Sequence, residues 1–250
     1  MCTVTYLPLK EGFLITSNRD ERLSRKPSNP PVVQVVNGIA LLFPKDTEAG
    51  GTWIACAQNG RTVCLLNGAF EPHILNPPYR KSRGLVVLDY FQSKSVKEFE
   101  RQYDLTGIEP FTMVIAEDKL LFEVRWDGTK KYLSQLDETK PNIHSSATLY
   151  NKETMALREE WFNNWLITHT DYRVEDILNF HLFAGDGDAA HNIRMSRFGI
   201  VETLSVTSIK LENNVVEMYY ADLKDKKEAD FGVYTFATND IKEGNFTIAN

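Results

Sequence analysis

The stretch MCTVTYLPLKEGFLITSNRDE, residues 1–21, decides the fold that this sequence predicts. Its two arms, CTVTYLP and FLITSNR, are rich in β-branched and aromatic residues, and the KEG between them is typical of a turn. If the loop consists of residues 10 and 11, counting outward along both arms places Cys2 opposite Arg19, whereas a slip of one residue places Asn18 or Asp20 there. The hairpin therefore returns the polar run at its end to the start of the chain.

Cys2 becomes the N-terminal residue if Met1 is removed, which is usual for a methionine that precedes a small residue. Its α-amine then has an ordinary pKa of about 7.7–8.0 and its thiol one of about 8.5, so one residue contains both a nucleophile and a base. Arg19 would favour the thiolate, and Asp20 would orient the ammonium group. The alternative stays open, because a second-position cysteine is more often a small buried residue and the NRDE run also fits a turn with a surface ion pair.

A second hairpin is indicated by Asn59 and Gly60 between two apolar runs. A two-residue turn there pairs residue 58 with residue 61 and directs Cys56 and Cys64 to opposite faces of the sheet, so that they should not form a disulfide. The double glycine at 50–51 indicates a close approach of the backbone, and Trp53 beside it is the aromatic residue that we most expect at a ligand cavity.

The rest of the chain alternates between helical and strand patterns. We predict one or two short strands within 22–50, two helices within 79–103, strands at 111–117, 118–126 and 130–136, helices at 152–168 and 173–183, and strands at 199–214, 215–223 and 232–238. Hairpins rather than βαβ crossovers connect the strands, which favours an α+β fold with antiparallel sheets and helices in outer layers. No linker divides the chain, so we expect a single domain over residues 1–250.

Composition and charge exclude several classes of protein. The net charge of −6 and the pI near 5.5 argue against binding to nucleic acid. No stretch has the roughly 20 apolar residues of a membrane span, and the N-terminus lacks the pattern of a secretory signal, so we expect a cytoplasmic protein. The three cysteines have no CxxC spacing, and the histidines have neither HxxxH nor HExxH spacing, so we predict no metal site and no cofactor.

Several motifs together carry a resemblance to a known family. MC at the start, SNRDE at 17–21, EAGGTWIACAQNGRTVCLLN at 48–67 and the region around 145–162 resemble the Transport and Golgi organisation protein 2 family, also called the NRDE family. That family is similar to N-terminal-nucleophile hydrolases of the choloylglycine hydrolase and penicillin V acylase type. The resemblance implies a four-layer αββα sandwich.

The resemblance also implies roles for individual residues. Cys2 corresponds to the nucleophile, Arg19 and Asp20 to an Arg and Asp pair, and Asn67 to an asparagine of the oxyanion hole. The hydrolases add a second asparagine, where this chain has Ser146, and a distal arginine. The following residues are therefore assigned to substrate binding: Asn18, Trp53, Ser146 and Arg194, with Arg197 as an alternative to Arg194.

Two functions are compatible with these residues. The first is hydrolysis of a non-peptide C–N amide, or acyl transfer, with Cys2 as nucleophile, its own amine as base and a small acyl or amide substrate. The second is a non-catalytic binding or trafficking protein that carries a lipid, an acyl-CoA or haem on the same fold; the Cys2 thiolate would then be a possible haem ligand. The sequence does not predict the oligomeric state.

Overall fold

A computed structural model of the chain describes residues 3–224, 226 and 228–238. The strands are β1 (Thr3–Leu9), β2 (Gly12–Arg22), β3 (Asn29–Val36), β4 (Ile39–Lys45), β5 (Ile54–Ala57), β6 (Thr62–Asn67), β7 (Phe111–Glu117), β8 (Leu120–Trp126), β9 (Lys131–Leu136), β10 (Asn142–Ser145), β11 (Ser196–Arg197), β12 (Val201–Glu212), β13 (Val215–Asp222) and β14 (Gly232–Ala237). The helices are α1 (Arg83–Tyr90), α2 (Val96–Gln102), α3 (Lys152–Thr168) and α4 (Val174–Phe183).

The strands form two sheets within the described residues. Sheet A has the order β10-β1-β2-β12-β13-β14, with β11 beside β12, and sheet B has the order β3-β4-β5-β6-β7-β8-β9. Neighbouring strands are antiparallel in both sheets. The order of sheet B follows the chain, and its strands are joined by short connections except between β6 and β7, where α1 and α2 intervene.

The two sheets pack face to face, and helices cover their outer faces. Helix α1 packs on β5 and β6 of sheet B and α2 on β9, whereas α3 contacts β10 and α4 contacts β2 and β12 of sheet A. Alternation along β1 follows these layers, because Val4 belongs to the core shared with sheet B and Leu7 to the core shared with α3 and α4. The predicted αββα sandwich is therefore confirmed.

The hairpin of β1 and β2 has the predicted register. Leu9 pairs with Gly12 and Thr3 pairs with Asn18, so the loop contains residues 10 and 11. The predicted pairing of Cys2 with Arg19 lies outside the described residues.

The hairpin of β5 and β6 differs from the prediction by one residue. Cys56 pairs with Thr62 rather than Val63, and Ile54 pairs with Cys64, because the turn contains three residues and ends at Gly60 with φ +83°. Cys56 and Cys64 therefore lie on the same face of sheet B, and the prediction of opposite faces is wrong. Both thiols are nevertheless free, as expected.

The close approach predicted for the double glycine occurs at its second residue. A Cβ atom on Gly51 would lie 2.3 Å from the carbonyl carbon of Gly84, at the start of α1. The Thr52 amide donates to the Gly84 carbonyl oxygen at 3.1 Å, which fixes the start of α1 on the segment that leads into β5.

The remaining helices and strands match the predicted pattern closely, and the region 22–50 contains two strands, β3 and β4. Strands β10 and β11 were not predicted from the sequence. Both are short and polar, and they exist because longer strands of sheet A supply their hydrogen-bonding partners. No helix in the described part of the chain is both long and apolar enough to cross a membrane.

Candidate active site

A cavity of about 360 Å³ opens at the end of the sandwich where β2 and β6 finish. Its lining includes Arg19, Trp53 and Asn67, with residues 81–84 at the start of α1. The Thr3–Asn18 pair, which begins the β1–β2 ladder, lies one residue before Arg19 on β2. Three of the residues predicted for the site therefore meet at one cavity beside the start of β1.

Arg19 is a buried cation that two contacts hold in place. Its Nη2 atom donates to Asp46 at 2.6 Å, and its guanidinium carbon lies 4.7 Å from the centre of the Trp53 ring. Burial would raise the pKa of Asp46, but hydrogen bonds from Arg25 and the Ala49 amide, with the charge of Arg19, lower that pKa to about 2. Asp46 therefore remains an anion that orients Arg19 in the cavity wall.

Asn67 is fixed through its backbone. Ser146 Oγ donates to the Asn67 carbonyl oxygen at 2.8 Å, and the amide of Gly68 donates to the Pro110 carbonyl oxygen at 3.0 Å. Gly68 has φ +81°, a conformation that glycine adopts without strain and that turns the chain sharply away after β6. Ser146 is fully buried and supports Asn67 from behind; it is not among the residues that line the cavity.

Asp20 faces the opposite side of sheet A from Arg19, as the alternation of a strand requires. Its carboxylate accepts a hydrogen bond from the hydroxyl of Tyr150 at 2.7 Å and another from the hydroxyl of Thr203. Asp20 is thus held by hydroxyl groups on the helix side of the sheet, whereas Arg19 contacts sheet B.

Asn18 also faces the helix side, where it is fully buried with His181. Its Nδ2 atom donates to the carbonyl oxygens of His181 and Ile193, so its Oδ1 atom accepts from His181 Nδ1 at 2.6 Å. His181 Nε2 is then the acceptor for the Thr5 hydroxyl at 2.8 Å. Burial, reinforced by the charge of Arg158, lowers the pKa of His181 to about 3, so this histidine is neutral.

Arg158 lies in the same buried layer. It was not among the site residues predicted from the sequence. It is fully buried, and its guanidinium donates to the Thr3 hydroxyl and to the carbonyl oxygens of His191 and Asn192. The signal in the sequence is its spacing, because the buried stripe of α3 consists of Thr154, Arg158 and Phe162 at intervals of four residues.

The two candidate distal arginines lie in different places. Arg194 donates to the Lys226 carbonyl oxygen and is not among the residues that line the cavity. Arg197 donates to the carbonyl oxygens of Leu149 and Ala190, and its guanidinium carbon lies 5.5 Å from the centre of the Tyr150 ring. Arg197 is thus connected to Asp20 through Tyr150.

Cys2 itself lies outside the described residues. The other two cysteines are fully buried, and this burial raises the pKa of each thiol to about 12. Both are therefore protonated and shielded at neutral pH.

Within the part of the chain that the structure describes, no three His, Cys, Asp or Glu side chains converge on a point where a metal ion could bind.

The architecture matches a known fold. Two stacked antiparallel sheets between helical layers, with β1 between β10 and β2 in one sheet, form the fold of N-terminal-nucleophile hydrolases such as choloylglycine hydrolase. The chain belongs to the Transport and Golgi organisation 2 family, which matches residues 1–184. No curated protein sequence matches it.

Solved structures show the same architecture. Two variants of conjugated bile acid hydrolase from Clostridium perfringens, one with cysteine changed to alanine and one with arginine changed to leucine, superpose with a TM-score of 0.57 at 11% identity. These superpositions cover 100% and 99% of this chain and 97% and 96% of theirs. An orthologue of N-acylethanolamine-hydrolyzing acid amidase from Caenorhabditis elegans gives a TM-score of 0.49 at 12% identity, over 83% of this chain and 92% of its own.

Proposed function

We propose that this protein is a hydrolase of small non-peptide acyl amides, with Cys2 as its N-terminal nucleophile after removal of Met1. We also propose that it acts in the cytoplasm. The observation that carries the proposal is the convergence of Arg19, Trp53 and Asn67 on one cavity next to the strand that Cys2 precedes.

The proposed reaction proceeds through a thioester. The α-amine of Cys2 takes the proton of its own thiol, and the thiolate attacks the acyl carbon of the amide. Collapse of the tetrahedral intermediate breaks the C–N bond, and the leaving nitrogen takes the proton from the ammonium. Water then adds to the thioester, giving the free acid and restoring the thiol.

Each neighbouring residue has a defined role in this proposal. The Asn67 amide, which lies in the cavity wall, donates to the oxyanion of the intermediate. The ion pair with Asp46 holds the guanidinium of Arg19 beside the cavity, where its positive charge favours the thiolate. Asp20 orients the ammonium from the helix side of sheet A, so Arg19 and Asp20 act from opposite faces rather than as one pair.

The size of the cavity bears on the substrate. About 360 Å³ is near the lower end of small-molecule sites, which favours a compact acyl amide over haem or an acyl-CoA.

The carrier function remains the second candidate. Titration of the Cys2→Ala variant with haemin and with an acyl-CoA tests it, and saturable binding of either without turnover by the native protein would favour a carrier.

The direct test is a panel of chromogenic small acyl amides with native protein, Cys2→Ala and Asn67→Ala. We expect Cys2→Ala to abolish turnover and Asn67→Ala to lower kcat by about 10²–10³, the usual cost of losing an oxyanion donor. Cys56→Ala, which removes a buried thiol in sheet B, is the matched control and should retain turnover. Undiminished turnover by Cys2→Ala would refute the proposal.

A further inference from the structure

The most unusual buried group in the described residues is the guanidinium of Arg158. It is fully buried, and no carboxylate in the described part of the chain lies within ion-pair distance of it. A buried charge without a counter-ion is costly, and replacing such a group by an apolar one is often neutral or stabilising. Stability alone therefore does not explain why this position in α3 has an arginine.

The hydrogen bonds of Arg158 connect the start of β1 to another segment. One guanidinium nitrogen donates to the hydroxyl of Thr3, the residue directly after Cys2. The other two nitrogens donate to the carbonyl oxygens of His191, at 3.1 Å, and Asn192. Arg158 thus joins the first described residue of β1 to the segment that follows α4.

A second path leads from Arg158 to Asp20. The guanidinium carbon of Arg158 lies 3.7 Å from the centre of the Tyr150 ring, and the hydroxyl of Tyr150 donates to Asp20. The same cation therefore contacts both the neighbour of the proposed nucleophile and the tyrosine that holds the proposed orienting carboxylate.

We propose that Arg158 is a positioning residue that fixes the beginning of β1, and with it Cys2, relative to Asp20. This inference rests on the proposed function for its catalytic meaning, but the anchoring of Thr3 can be measured independently. Arg158 acts through Thr3 and Tyr150 from the helix side of sheet A, and it does not itself line the cavity.

The test compares native protein with Arg158→Met and Arg158→Lys. Arg61→Met is the matched control, because Arg61 is also a buried arginine that donates to backbone carbonyl oxygens, those of Phe91 and Ser93, and lies 5.6 Å from a tyrosine ring. Arg61 lies directly before β6, beside the end of α1, and unlike Arg158 it also has a carboxylate, Glu117, at 4.0 Å. Its loss should therefore not affect the start of β1.

The first readout is amide hydrogen exchange in the N-terminal peptide that ends at residue 8. We expect at least tenfold faster exchange in Arg158→Met, partial recovery in Arg158→Lys, and native exchange in this peptide for Arg61→Met. Native exchange in Arg158→Met would overturn the anchoring. If Arg158→Met does not fold, Thr3→Val, which removes only the accepting hydroxyl, takes its place with the same expectation.

The second readout is the rate of alkylation of Cys2 by iodoacetamide between pH 6 and 9. We expect Arg158→Met to slow the reaction at least tenfold at pH 7 and to move its midpoint to higher pH, because Cys2 would be less well held near the positive charge of Arg19 that favours the thiolate. A native rate and pH profile would overturn the positioning role. If Cys2 of the native protein is not alkylated, the proposed function fails, and hydrogen exchange alone decides the anchoring.

Discussion

At the scale of single residues, the strand β2 presents two different polar surfaces. Arg19 points toward sheet B and the cavity, whereas Asn18 and Asp20 point toward the helix side, where carbonyl, imidazole and hydroxyl groups satisfy them. The NRDE run is therefore part of a strand, not a surface turn. Its polar side chains are buried at little cost because most of their hydrogen-bonding atoms have partners.

His181 makes the stability of this buried layer depend on pH. Its pKa in the folded protein, about 3, lies below the ordinary value of 6.5, so the unfolded chain binds the proton between these pH values. The stabilisation is complete above about pH 6.5 and is lost as the pH falls. We expect the free energy of unfolding to decrease by up to about 1.4 kcal/mol per pH unit below pH 6.

The measurement is urea unfolding at pH 7, 6 and 5 for native protein and for His181→Gln, which cannot be protonated. The variant should lose less stability between pH 7 and 5 than the native protein does. Equal losses in the two proteins would show that His181 is not the group responsible.

At the scale of elements, the sequence predicted some features well because local chemistry determines them. The two-residue loop at 10–11 follows from turn preferences. The register of β5 and β6 did not follow, because an Asn-Gly pair fits both a two-residue and a three-residue turn. Helical spacing places Arg158 on the buried face of α3, but its contacts with Thr3 and Tyr150 depend on packing between distant segments, which spacing along the chain does not reveal.

The contact between Gly51 and the start of α1 gives an element-scale prediction. Gly51→Ala places a methyl group against the backbone of Gly84, so α1 must shift away from the segment before β5. We expect a loss of stability of about 2 kcal/mol or more, whereas Gly38→Ala should cost about 1 kcal/mol, since Gly38 has φ +80° but open space around it. Thermal unfolding checks this, and equal losses for the two variants would contradict it.

At the scale of the whole molecule, the family match covers fewer residues than the two sheets do. The match ends at residue 184, but β12 and β13 lie beyond it, and β12 lies between β2 and β13 in the middle of sheet A. Sheet A therefore needs residues from both ends of the described chain, because β2 would otherwise lose its partner on one side.

We propose on this basis that the chain folds as one domain. Trp53 and Trp126 report on sheet B, whereas Trp161 and Trp165 lie on α3, so tryptophan fluorescence samples both sides of the sandwich. Denaturant unfolding should give one transition with the same midpoint by fluorescence and by far-UV circular dichroism. Two separate transitions would contradict a single domain.

The most direct test of the account is the intact mass of untagged native protein before and after brief treatment with iodoacetamide at pH 7. We expect a mass that lacks Met1 and a single rapid adduct on Cys2. Cys56 and Cys64 should remain unmodified, because both thiols are buried and protonated. Retention of Met1, or a Cys2 that reacts no faster than the buried cysteines, would contradict an N-terminal nucleophile.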